Sequence, residues 1–424
     1  MSIAATVLGG AKSRLLPPSI PFRFFAAAAG FHVLMWLVLL TGAGNAASFR
    51  GGLGSTLAAV HLLVLGVLVT TVVGASVQLL PVATRRALVA IWPIKLVFWL
   101  TIPGMVALIA GMYSAQINLL IPGAAVTAVG LLLFGGLLAD NLRRAQSLPI
   151  VAAYGWAALA ALGFVVALGV ALAINEDFEI LPNHSGAALA HLILGGFGFM
   201  GLLALGFSHI LVPMFALAAA PPKRSSLLAF ALAVVAILLG SLGALANSSV
   251  VLTIAAFVGI AAAGLHVHLM LSTLKAGMRK RLGLSFVLIR AAWLMLFATP
   301  IAGIAAIYGL AGPNGATLFG LLLFGGWLMT FLLGVLERIL PFLASMHASR
   351  PVGGMPPLMP NFAESTLLRI HATCHAAALT LLAVAITTDT TWLMRVGSAV
   401  GLVGALVFAW FSADVMRRMA SPRQ

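Results

Sequence analysis

The sequence predicts an all-α protein: a polytopic membrane bundle of twelve transmembrane helices in three pseudo-repeated four-helix units. Three observations predict it. Hydrophobic residues make up 62% of the 424 residues and charged residues only 7%, against about 25% charged in soluble domains. Twelve apolar runs reach the roughly 20 residues that a bilayer core demands of a helix. A glycine–glycine–proline pattern recurs at every fourth run.

The runs cover 22–44, 53–81, 87–112, 114–139, 149–174, 185–215, 225–247, 249–274, 284–309, 315–342, 366–387 and 391–414. None shows the period-2 alternation of a membrane strand. The first begins near Pro21, after a short basic stretch and without a small-residue cleavage site. It reads as a retained span rather than a signal peptide. The two longest connections are acidic Asn175–His184 and proline-rich Ala344–Ser365, and both are too short for a soluble domain. Residues 1–424 therefore read as a single integral membrane domain, with short tails at 1–21 and 415–424.

The net charge is +15. The basic residues sit in short clusters between apolar runs, which argues against nucleic-acid binding. Nineteen of the 23 Lys and Arg fall in the tails and the even-numbered connections, with Arg50 and Arg395 on the opposite side. The positive-inside rule then puts both termini in the cytoplasm. The expected partner is a lipid bilayer, and the expected location a bacterial-type inner (plasma) membrane. The lone cysteine, Cys374, excludes an intrachain disulfide.

The repeat lies in the second, sixth and tenth runs. Gly66, Gly74 and Pro81 recur as Gly198, Gly206 and Pro213, then as Gly326, Gly334 and Pro341, with spacings of 8 and 7 each time. Glycines eight apart lie about 80° apart on a helical wheel and make a broad small-residue face. Such a face admits a neighbouring backbone or a flat cofactor.

There are ten histidines. An imidazole inside a bilayer is costly unless partnered, so each is a candidate for function. Imidazole nitrogen binds haem iron, copper and zinc. His61 and His191 open the second and sixth runs at similar depth and are candidate cofactor ligands. His371 and His375 are one turn apart beside Cys374, a spacing that suits a metal. The string HATCH lacks the second cysteine of a c-type haem attachment. His32 is expected to hydrogen-bond between helices. His209 and His266–His268 lie near basic connections and read as interfacial. His266 and His268 point about 200° apart, so they are not expected to share an ion. Glu337 is the carboxylate placed inside a run, near its cytoplasmic end beside Arg338. That placement argues against an ion-driven transporter, which needs an acid near the midplane. No phosphate loop, HExxH zinc motif or dinucleotide fingerprint is present.

Twelve spans, inside termini, four-helix units and histidines on the second and sixth spans resemble subunit I of the haem–copper oxidases. His191 through LGFSHILVPMF is similar to that family's haem-helix run. The opening PFRFF, the tryptophan-bearing first span and the histidine at the start of span two resemble the NnrS family. Its members are smaller twelve-span proteins implicated in nitric oxide tolerance and reported to bind haem and copper. The chain departs from both patterns. No His–His pair follows the sixth run, Ala316–Phe342 holds no histidine, and the tyrosines are Tyr113, Tyr154 and Tyr308. The arginine- and glycine-rich NnrS signatures are also missing. The usual oxygen-reducing binuclear centre is therefore not expected, and whether the protein is an enzyme stays open.

The resemblance implies haem b on His61, with His191 or His375 as its partner ligand and Arg50 or Arg395 near the propionates. It implies copper as a second cofactor, with His371 and His375 as the metal pair. An electron-donor protein is the implied partner, in electron transfer, gas sensing or nitric oxide and stress metabolism. Two other classes compete with this: a small-solute membrane transporter, and a non-catalytic assembly subunit of a respiratory complex.

Overall fold

The computed structural model describes residues 16–84, 90–145, 148–348 and 365–420, without the side chains of 82 and 83. Among the described residues, twelve helices are long and apolar enough to cross a membrane. They are α1 Ser19–Thr41, α2 Ser55–Pro81, α3 Trp92–Ser114, α4 Ile117–Arg144, α5 Pro149–Phe178, α6 His184–Ala216, α7 Lys223–Leu245, α8 Ser249–Ala276, α9 Leu284–Ile307, α10 Gly315–His347, α11 Ser365–Thr388 and α12 Thr391–Ala420. No strand occurs among the described residues. The proline-rich connection and the outermost basic residues, including Arg85, Arg86 and Arg350, lie outside them.

Two helices outrun their apolar stretches for the same physical reason. α4 continues past residue 139 and α12 past 414, each through an Asp-x-x-Arg-Arg turn. Asp140 pairs with Arg143 at 3.3 Å and with Arg144, and Asp414 pairs with Arg417 at 2.6 Å and Arg418 at 2.5 Å. Carboxylates one turn ahead of arginines support a helix, and terminal arginines complement its dipole.

The chain divides into two compact units. The first comprises Met1–Ile91, Gly283–Ala291 and Met329–Gln424; the second comprises Trp92–Leu282 and Ala292–Leu328. α1, α2, α11 and α12 belong to the first, and α3 to α8 to the second. α9 and α10 each contribute a segment to both.

The threefold repeat is visible in the backbone. α2, α6 and α10 each contain a π-helical stretch: Leu62–Val69, Leu194–Gly201 and Leu321–Met329. The repeat glycines Gly66, Gly198 and Gly326 fall inside them. π-Helix is rare, is usually confined to a single turn, and often marks functional sites. Its appearance at matched positions in three helices sets the repeat beyond coincidence.

The repeat glycines admit the preceding helix. A Cβ at Gly66 would lie 2.8 Å from the Phe31 ring, and one at Gly74 2.8 Å from Phe24 Cβ. At Gly198 and Gly206 it would meet Ala161 Cβ at 2.9 Å and Tyr154 Cβ at 2.7 Å; at Gly326 and Gly334, Met295 Cγ and Leu288 Cβ at 3.1 Å each. The partners are seven residues apart on α1 and on α5, while on α9 the first atom met at Gly334 is Ser285 O at 2.7 Å. The small-residue face thus takes a helix, the first of the two occupants such a face admits, and side chains of that helix fill the space a flat cofactor would need. The most extensive helix pairs are α3–α4, α7–α8 and α11–α12, again one per repeat.

Candidate functional site

The first unit gathers three of its histidines, one of which faces a buried carboxylate. His32 of α1, His371 and His375 of α11, and Glu337 of α10 are all at most 4% exposed. Their positions follow from the helical repeat: His371 and His375 are one turn apart, so α11 presents both on one face. α12 and α1 close around them. Phe408 of α12 packs its ring 4.8 Å from that of His371 and 6.2 Å from that of His32.

Each imidazole has a different set of partners. The Trp36 indole N–H donates to His32 Nε2 at 3.1 Å, within the same helix. The expected interhelical bond of His32 is thus an intrahelical one, in which the imidazole accepts. His32 Nδ1 has no partner among the described residues. Thr330 Oγ1 and His375 Nε2 are 2.8 Å apart. His371 Nδ1 faces Glu337 Oε1 at 3.6 Å, an ion-pair distance and too long for a hydrogen bond. His371 Nε2 has no hydrogen-bond partner among the described residues. Beside this pair, Arg338 Nε donates to Ser285 Oγ at 2.8 Å, and its guanidinium lies 5.2 Å from the Phe286 ring centroid.

His61 stands apart from this cluster. It is half-buried, and it is the last residue before the π stretch of α2. Its Nδ1 lies 3.0 Å from Leu57 O. A carbonyl only accepts, so the proton is on Nδ1 and Nε2 keeps its lone pair. Metal-binding histidines have this same arrangement, one ring N–H held by a carbonyl or carboxylate and the other nitrogen open. Arg50 and Arg395 belong to the same unit, are exposed, and make no ion pair among the described residues.

His191 belongs to the second unit and has the same tautomer, with Nδ1 held 3.0 Å from Val165 O of α5. A Cβ on Gly169 would lie 2.9 Å from its ring, so the imidazole packs directly on that backbone. His209 and His266 depart from the interfacial reading. They are 8% and 1% exposed and face each other inside the second unit, whereas His268 is exposed. His184 opens α6 at the surface, against Asn175 Nδ2 at 3.0 Å, and His347 ends α10 half-buried.

The structure thus joins His371 and His375, as expected from their spacing, and adds His32, Glu337 and Thr330, which spacing alone did not single out. Two repeat signals mark the additions. Thr70 and Thr330 both sit four residues after the first repeat glycine, at the end of a π stretch, and Thr70 Oγ1 donates to Leu65 O at 2.9 Å. His209 and Glu337 both sit four residues before the repeat proline.

The metal-binding capacity of the clusters can be judged from their geometry. Among the described residues, no group of three or more His, Cys, Asp or Glu is placed to hold a metal ion. The rings of His371 and His375 are stacked, 6.2 Å apart and inclined by 28°. An imidazole nitrogen binds a metal at about 2.0–2.1 Å, so two rings at tetrahedral angles on one ion have centroids only about 5.2 Å apart. A haem iron asks less of the protein, one or two open imidazole nitrogens. His61 Nε2 and His371 Nε2 offer that.

The sequence matches no protein-family model and no curated protein. The fold does have a counterpart. A chain of a heme–copper terminal oxidase dimer, solved by cryo-EM, is similar with a TM-score of 0.67 over 96% of this chain and 85% of that chain, at 12% identity. The protein is therefore a multi-pass membrane protein with the fold of an oxidase chain.

Proposed function

We propose that this chain is an integral membrane haem b protein, related to the oxidase subunit and NnrS architectures, with His61 as an axial ligand. The observation that carries the proposal is the state of His61: half-buried, its Nδ1–H held by Leu57 O, its Nε2 open, at the start of a π stretch. The second ligand is sought in the same unit. The sequence points to His191 or His375, but His191 belongs to the second unit and His375 Nε2 is engaged by Thr330. His371 fits better, because Glu337 faces its Nδ1 and leaves Nε2 unpaired. Exposed Arg50 and Arg395 would hold the propionates. His371 and His375 supply two donors, and no third His, Cys, Asp or Glu among the described residues joins them to hold a copper ion.

Bound haem would supply one-electron exchange or ligation of a diatomic gas such as nitric oxide. The chain's own residues would do the rest. His61 and His371 would hold the haem, Phe408 and Trp36 would exclude water, and Glu337 would lie beside His371 to balance charge. The basic connections favour cytoplasmic termini in a bacterial-type inner membrane, with an electron-donor protein as partner.

A second reading has its own observation. Although Glu337 lies towards the cytoplasmic end of its span, it is buried and faces an imidazole, and such an acid–imidazole pair suits a proton-coupled small-solute transporter.

The deciding experiment compares pyridine haemochrome and visible spectra of His61→Ala, His371→Ala and His375→Ala, each made with haem available. The haem reading expects haem lost or spectrally altered in the first two and retained in the third. Haem content unchanged in His61→Ala overturns the ligand assignment. Folded proteins that are colourless throughout favour transport or assembly.

A further inference from the structure

The second unit holds a cluster that the haem reading does not use. His209 of α6, His266 of α8 and Tyr154 of α5 meet inside it. The two imidazole centroids are 5.6 Å apart with planes at 75°, and the Tyr154 ring is 5.7 Å from that of His209. Phe230 of α7 covers Tyr154 edge-on at 5.0 Å. Tyr154 and His266 are each 1% exposed.

His209 Nε2, both nitrogens of His266 and the Tyr154 hydroxyl have no hydrogen-bond partner among the described residues. A polar group left unpaired at bilayer depth is expensive, and here four such atoms lie in one small cluster. Such a cluster calls for a guest.

The ring separation suggests what kind. With metal–nitrogen bonds of about 2.0–2.1 Å, an ion lies roughly 3.2 Å from each imidazole centroid, and trigonal angles put the two centroids about 5.5 Å apart. The observed 5.6 Å matches. The other buried histidine pairs, at 6.2 and 6.4 Å, each include a ring with one nitrogen already engaged, His375 by Thr330 and His32 by Trp36. Charge narrows the choice further. The cluster contains no carboxylate, so a divalent ion would bury two uncompensated charges and a univalent ion only one. Met270 is fully buried one turn beyond His266 on the same face of α8, and its thioether is of the soft type that suits copper.

We infer that His209 and His266 form a binding site for one univalent copper ion, with the Tyr154 hydroxyl beside it. The site lies wholly within the second unit and shares no residue with the proposed haem ligands.

The test is an anaerobic Cu(I) titration of the full chain in detergent against a chromogenic chelator, with bound metal counted by mass spectrometry. One equivalent is expected to be retained, to be lost in His209→Ala and in His266→Ala, and to persist in His268→Ala, whose ring is exposed. Copper K-edge absorption of the loaded wild type provides a readout should the variants fail to fold; two imidazole shells are expected. A folded wild type that retains no copper, an equivalent that survives the double variant, a preference for Zn(II), or a copper spectrum without imidazole scattering overturns the assignment.

Discussion

The two units bury imidazoles in opposite ways. In the first, His371 faces a carboxylate, His375 has a threonine hydroxyl, and His32 accepts from an indole. In the second, His209 and His266 lie together without a carboxylate, and His209 Nε2 and both nitrogens of His266 lack hydrogen-bond partners among the described residues. The difference comes down to one repeat position, four residues before the proline, which is Glu337 in α10 and His209 in α6. A carboxylate there lets the protein balance positive charge from its own residues. An imidazole there adds a donor and leaves charge balance to whatever binds. Both clusters keep buried polar atoms without hydrogen-bond partners among the described residues, including both nitrogens of His371 and both oxygens of Glu337 in the first and both nitrogens of His266 in the second. They differ in the carboxylate that only the first contains.

The largest change is expected where the scaffold itself is disturbed. Gly206→Leu drives a side chain into Tyr154 Cβ and should destabilise the second unit by about 3 kcal/mol, while disturbing the Tyr154–His209 contact. Thermal unfolding in detergent checks this, and a wild-type midpoint would show that α5 and α6 can separate freely. Next comes Glu337→Gln, which makes the first cluster resemble the second by removing its carboxyl group. A loss of about 1–3 kcal/mol is expected if the carboxylate pairs with a protonated His371, and an unchanged midpoint would mean that the pair is neutral. Thr330→Val should cost about 1 kcal/mol by leaving His375 Nε2 unpaired, with a shift in that imidazole's nitrogen resonance. His268→Ala should leave the midpoint unchanged, since that ring is exposed; a loss would show that the second cluster extends across α8.

The spans were legible because hydrophobicity alone sets them, and α6 and α11 begin and end within a residue of their apolar runs. The ends of α4 and α12 were not, because there ion pairs rather than apolar side chains continue the helix. The repeat was legible in three glycines and three prolines, but the π stretches were not. A widened turn depends on the helix packed against it, and Gly66 shows that only through Phe31. The site was legible as a set of residue types. A helical wheel gives each histidine a face and a depth but not a neighbour, so His371 and His375 could be paired from sequence while Glu337 and His32 could not. His209 and His266 read as interfacial for the same reason: closeness to a basic connection says nothing about which way a ring points.

The central claim is that this fold carries haem. The most direct measurement is the reduced-minus-oxidised visible spectrum of the purified full chain, expressed with haem available, alongside its haemochrome stoichiometry. One haem b per chain with a Soret band is expected. A folded, monodisperse protein with no Soret band and no haemochrome would contradict the claim.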